Sequence, residues 1–165
     1  MAQKKVVIDG AKLKQESVFN MGELYKALFA WFNNYGYDFA EEEYNERDSG
    51  RNKDIKIFWV AEKKVDTYIK WYMDLNFLIV GLESVEIDRN GLKMKTNKGS
   101  IEFKITAAII KDYDNKWSKG FTAFLRKLYD KVVAYQRYNR MEGELARETN
   151  KLIDEIKAFL NLYQI

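Results

Sequence analysis

The sequence predicts an α+β domain: a curved antiparallel sheet of six to seven strands, with a short N-terminal helix and a long closing C-terminal helix. Three observations carry that expectation. Ile69, Trp71, Met73, Leu75, Phe77 and Ile79 occupy every second position, with Tyr68, Lys70, Tyr72, Asp74 and Asn76 around and between them. This is the alternation of a strand with one face on a core and the other in water. Leu24, Ala27, Leu28, Trp31, Phe32 and Tyr35 recur at helical spacing, and beyond position 118 apolar residues again return every three or four positions.

In chain order, Val6-Val7-Ile8 is a β-branched run ended by Asp9-Gly10 and reads as a first strand. Asn20 precedes Glu23 by three residues, a capping-box spacing, and Gly36 is a natural stop, so a helix is expected over 21–35. The stretch 37–44 is read as a strand. Asp48-Ser49-Gly50-Arg51-Asn52 supplies a turn before Ile55, Ile57, Trp59 and Ala61 alternate along the next strand. Gly81 marks a bend or bulge after the 69–79 strand. Val85 and Ile87 lead to Asn90-Gly91, a pair that accepts the positive φ of a tight hairpin. Leu92, Met94 and Thr96 form a short strand, Asn97-Lys98-Gly99-Ser100 is read as a further turn, and the last strand spans 101–111.

Ser118 is placed to cap the closing helix. Its first apolar stripe, Phe121, Leu125, Leu128, Val132 and Tyr135, is expected to seal the core. Continued, that stripe meets Asn139 and Glu142 beside Gly143. A second stripe of Leu145, Leu152, Ile156, Phe159 and Tyr163 then resumes on a rotated face. The chain is therefore divided into a body over 1–143 and a helical extension of the same domain over 144–165, as one long helix or two hinged near 139–144.

Composition removes several kinds of chemistry. The 165 residues include no Cys, His or Pro. Thiolate nucleophiles, disulfides, Ser-His-Asp triads and His-based metal sites are excluded, so any acid–base chemistry would rest on carboxylates, Tyr or Lys. The absence of Cys fits a cytoplasmic chain. The apolar run at the N-terminus is too short for a signal-peptide core, and no stretch approaches a membrane span. A net charge of +3 is too small to imply a polyanion partner, so nucleic-acid binding is not expected.

The order of strand, helix, antiparallel strands and long final helix resembles the helix-grip fold of the START-like superfamily over most of residues 5–140. The resemblance lies in element order, not in a shared motif. It implies a sheet wrapped around the last helix, often with an apolar cavity between them, in proteins that carry small apolar ligands or act as cyclases or hydrolases. It carries no residue role to this chain.

Five features are candidates for function. Trp31, Trp59, Trp71, Phe77 and Phe103, with Phe32 and Phe39, fall on inward faces, where they either line a ligand pocket or fill the core. Arg89, Lys93, Lys95, Lys98 and Lys104 make a basic hairpin, most simply read as a solvated row protecting an edge. Asp38, Glu41, Glu42, Glu43, Glu46 and Asp48 form an acidic stretch. On a regular strand Glu41 and Glu43 share a face and could hold a cation, although a solvated face is the plainer reading. Asp112-Tyr113-Asp114-Asn115-Lys116-Trp117 alone resembles acid–base apparatus, and is read first as a connecting loop. The fifth is the seam of Leu145, Leu152, Ile156, Phe159 and Tyr163, either a surface for a protein partner or a second copy, or the face by which the helix folds back on its own domain.

The resulting expectation is a non-catalytic binding module without cofactor or metal. It would hold an apolar small molecule, or meet a protein through its C-terminal helix. The alternative is a cyclase- or hydrolase-like enzyme working through Asp, Glu, Tyr or Lys.

Overall fold

Long strands dominate the architecture because the turn read at 97–100 and the strand end read at Asp9-Gly10 both lie inside continuous strands. The computed structural model describes residues 2–114, 120–132 and 135–161. Five strands, β1 (Gln3–Phe19), β2 (Asp38–Asp48), β3 (Lys53–Lys64), β4 (Ile69–Arg89) and β5 (Leu92–Lys111), form one antiparallel sheet in the order β1-β5-β4-β3-β2. Among the described residues three helical segments accompany it: α1 (Met21–Asn34), α2 (Gly120–Val132) and α3 (Tyr135–Asn161). The fold class is α+β as expected, with five strands in place of six to seven.

The correction in strand count has a local cause. Val80 pairs with Ser100 and Glu83 with Lys98, so two residues of β4 face one of β5. Gly81 takes φ +66° there, and its N–H donates to Asp54 Oδ1 at 2.9 Å. A Cβ on Gly99 would lie 3.2 Å from Leu82 Cα. Gly99 thus admits a close backbone approach within a strand and does not turn the chain. In the same way β1 runs past Gly10, at φ +60°, through two register shifts between Val6 and Ala11.

Several local expectations are met. The Asn20 side chain accepts from the Glu23 N–H at 3.0 Å. At the other end of α1, Gly36 adopts φ +79° while the Tyr37 N–H donates to the Phe32 carbonyl, a helix stop that favours glycine. Asn90 and Gly91 both have positive φ between β4 and β5, as a primed hairpin turn requires.

One face of the sheet is covered by α1 and α3. Ile57, Trp59, Leu75, Phe77, Ile101, Phe103 and Ile105 point into this layer, against Leu24, Leu28 and Phe32 of α1. From α3 come Tyr138, Met141, Leu145, Leu152, Ile156 and Leu160, at spacings of three, four and seven with the buried Thr149 between. This is one uninterrupted stripe, about 33 Å long at 1.5 Å per residue, and it lies mainly over β1 and β5.

Polar ties hold α3 in register with the sheet. Arg137 pairs with Asp66 in the β3–β4 turn. Glu142 meets Lys5 at 2.5 Å. Glu148 accepts from the Tyr37 hydroxyl at 2.7 Å and from Lys63 Nζ at 3.1 Å. Near the end, the Ser17 hydroxyl donates to the Leu160 carbonyl at 2.6 Å. Burial, then the bond to Glu148, pushes the Tyr37 phenol far above its ordinary range.

Two open readings of this region are narrowed. Gly143 lies inside α3, exposed, with nothing within 4 Å of a Cβ built on it, so no hinge falls at 139–144; residues 133–134, between α2 and α3, lie outside the described residues. The boundary placed at 143 is therefore internal to a helix. The seam assigned to a partner is part of the core: Leu145, Leu152 and Ile156 are buried, and Phe159 is partly buried against them. Tyr163 lies outside the described residues. The missed signal was Tyr138 and Met141, which extend the second stripe towards the N-terminus.

These placements make opposite predictions for two nearby substitutions. Leu152→Ala should destabilise the whole domain by about 2–5 kcal/mol. Gly143→Ala should stabilise it by about 0.5–1 kcal/mol, because the exposed site has room and helical backbone. Urea unfolding of both variants is the check. A Leu152→Ala protein as stable as its parent would mean that α3 is not part of the core.

Candidate functional site

The aromatic residues expected to surround a ligand pack largely against one another. Trp59 meets Phe77 edge-on at 5.3 Å between ring centroids, and Phe77 stacks on Phe103 at 5.6 Å. The Trp59 indole N–H donates to Glu41 Oε1 at 3.1 Å, and the Tyr25 hydroxyl donates to the same oxygen at 3.2 Å. Trp71 lies under the Lys63 ammonium, 5.1 Å from the ring centroid, and its buried indole N–H finds no acceptor among the described residues. Trp31 stacks on Tyr35 at 4.3 Å. Of the five, Trp31 alone borders either of two surface concavities. It lines a groove of about 650 Å³ between Ala27, Ala30 and Tyr35 of the α1 end and Lys151, Asp154 and Ala158 of α3. The other, about 510 Å³, lies beside the β2–β3 hairpin.

The charged stretches are absorbed by pairing. A bulge between Glu41 and Glu43 breaks the two-residue period. Glu41 turns to Trp59 and Tyr25, while Glu43 meets Lys56 at 3.3 Å. The two carboxylates are separated, which corrects the shared face expected of them. Among the described residues no group of three or more carboxylates is placed to hold a metal ion. On the basic hairpin, Lys93 stands opposite Asp88, Lys95 opposite Glu86 and Lys98 opposite Glu83, so the row is locally neutralised.

The loop after β5 is a structural connection in its described part. Asp112 is buried at φ +51°, its N–H donating to the Tyr68 carbonyl at 2.8 Å, and the Tyr113 hydroxyl donates to the Asp66 carbonyl at 2.7 Å. Asn115, Lys116, Trp117 and the expected cap Ser118 lie outside the described residues.

A different acid–base pair occupies the uncovered face of the sheet. The Tyr72 hydroxyl donates to Asp74 Oδ2 at 3.1 Å, and Lys4 Nζ lies 3.9 Å from the Tyr72 ring centroid. Next to Asp74 across the sheet stands Thr106, whose hydroxyl accepts from the Gly10 N–H at 3.2 Å. Burial raises the Asp74 carboxyl, against the opposing effects of the Tyr72 bond and of Lys4 and Lys104. The Tyr72 phenol is pushed up to about 12, by burial first and Asp74 second. The pair lies on an open sheet face without walls to exclude water, and so lacks the enclosure that acid–base catalysis uses.

The least satisfied surface is α2. Phe121, Phe124, Leu125 and Leu128 lie along one stripe, as their spacing dictates, but that stripe faces solvent. Their exposures are 72, 61, 37 and 51%. Of the stripe expected to seal the core, the Val132 side chain lies outside the described ones, and Phe121, Leu125, Leu128 and Tyr135 are exposed. The reason is competition for the sheet: α3 carries the longer stripe, and its flanks supply Arg137, Glu142 and Glu148 for waiting partners. Tyr129, one turn beyond Leu125 at the flank of the stripe, meets Tyr68 of the body edge-on at 6.3 Å. The Phe121 and Phe124 rings stack at 6.4 Å and present one apolar ridge. Tyr135, opening α3, is also exposed.

No protein-family model, curated protein or solved structure matches this chain.

The Asp74 geometry has a pH signature. Folding raises the proton affinity of this carboxyl, so the folded state loses stability as pH rises through the carboxyl range and does not regain it above. Asp74→Asn should therefore unfold at a higher temperature than the parent at pH 7. The difference should close by about pH 3, where the unfolded carboxyl is also protonated. Thermal midpoints against pH test this, and a lower midpoint for Asp74→Asn at pH 7 would contradict it.

Proposed function

We propose that this chain is a non-catalytic interaction module whose docking element is the apolar ridge of α2. The observation that carries the reading is the outward placement of Phe121, Phe124, Leu125 and Leu128 on a helix that meets the domain through Tyr129 at the flank of that stripe. Isolated exposed apolar side chains are ordinary, but four aligned on one helix form a contiguous strip of the kind that marks binding surfaces. The body of the domain supplies a rigid mount, since α3 is tied to the sheet at both ends and in the middle.

Other readings draw on less. A small apolar ligand would have the α1–α3 groove beside Trp31, which is open and rimmed by Lys151, Asp154 and Glu155. A cyclase- or hydrolase-type reaction would have Tyr72 and Asp74 on an open face.

The reading separates stability from binding. The double variant F124E/L128E should unfold within about 0.5 kcal/mol of the parent, as surface changes do. A photo-crosslinking amino acid at position 124 should capture an adduct in the cells that make the protein, and one at position 43 should not. A strongly destabilised double variant, or no adduct above the position-43 control, would overturn the reading.

A further inference from the structure

We infer that the occupant of the α2 ridge is an anionic lipid surface, an inference that rests on the interaction reading above. α2 is amphipathic in the manner of helices that lie in a membrane interface. It has two Phe and two Leu on one side, while the rest of its sequence holds Arg126, Lys127 and Lys131 against the single carboxylate Asp130. Such a helix buries its apolar face at the headgroup boundary, while Lys and Arg stems reach the phosphates beside it. Among the described residues no helix is long and apolar enough to cross a membrane, so the contact would be peripheral.

Shape and charge favour lipid over protein. The ridge projects outward from the domain. A protein partner must supply a groove of matching form for a convex helix, whereas a lipid interface deforms around it. At 13 residues α2 is about 20 Å long, a strip well short of the ~800 Å² per partner usual for a stable protein interface. Pairing with the same helix of a second copy would also bring two net-positive segments together. An anionic surface gains from the same charges.

A second property follows from the arrangement. Because the Phe–Leu stripe is already exposed in the folded domain, α2 needs no unfolding or release before it can engage a surface. Binding should then leave the fold of the domain unchanged and should not wait on a slow opening step.

Co-sedimentation of the full chain with phosphatidylcholine vesicles, with and without phosphatidylserine, tests the inference. The net two positive charges of α2 lead us to expect roughly 30-fold tighter binding to the serine-containing vesicles, weakening as salt is raised. K127E/K131E, which keeps the ridge, should lose that preference. F124E/L128E, which keeps the cations, should fail to bind either vesicle. Thermal midpoints close to the parent's would show that both variants are folded. No binding by the parent, or equal binding to both vesicles, overturns the lipid inference. If the parent fails to bind vesicles but still gives a protein adduct at position 124, the lipid inference falls and the interaction reading stands. Light scattering that shows a parent dimer and an F124E/L128E monomer would assign the ridge to a second copy instead. Neither vesicle binding nor an adduct would overturn both.

Discussion

The placement of α3 on the sheet is the constraint from which the rest of the molecule follows. Its stripe from Tyr138 to Leu160 covers the β1–β5 side of the inner face, and α1 covers the β2–β3 side. Burial supplies most of the attraction, being roughly proportional to the apolar area removed from water. Burial alone does not define register along a 27-residue helix. The polar ties do that, each linking a fixed point on α3 to a fixed point on the sheet or its turns. Glu148 is the most enclosed of them, since its two oxygens answer both Tyr37 and Lys63. Removing it would leave two donors poorly hydrated, the costly half of any buried hydrogen bond.

Once α3 is seated, the sheet has one covered face and one wet face, and the two take different characters. The covered face is a continuous run of aromatic and branched side chains with ring contacts from Tyr25 through Trp59 to Phe103. The wet face mixes Tyr72, Asp74, Asn76 and Thr106 with Lys4 and Lys104, while Leu78 and Val80 stay exposed. A carboxyl here is only partly stripped of water, so its proton affinity rises without Asp74 becoming a buried acid. The edge strands are managed differently again. β2 carries a bulge and a dense set of charges, and β1 carries Gly10 with two register shifts. Both devices discourage pairing with another strand.

With no room left over the sheet, α2 is left outside the core. Its apolar stripe is as regular as that of α3 and shorter, and Tyr129 at its flank meets Tyr68 of the body. Two amphipathic helices competing for one sheet leave the loser's apolar face to solvent or to a partner. The composition of α2 then decides which partner chemistry suits it, because the same helix that exposes Phe and Leu is also basic.

Local features were legible in the sequence because they depend on near neighbours. The Asn20 cap, the Gly36 stop, the Asn90-Gly91 turn and the alternation along 69–79 all appear where residue chemistry places them. The two glycines that were read as breaks, Gly99 and Gly143, show where local reasoning ends. Glycine permits a turn or a helix stop without requiring either, and here a facing strand and a packed stripe overrode it. The candidate surface was legible as a stripe but not in its direction. Both C-terminal stripes have helical period, and period says that a helix has an apolar face, never what that face meets. The sequence by itself determined an α+β domain, its element types and the chemistry barred by the absence of His and Cys. Only the tertiary structure decided that α3 closes the core and α2 faces outward. That choice rests on which stripe, with its flanking charges, better fits a sheet assembled from residues as far as 143 positions away along the chain.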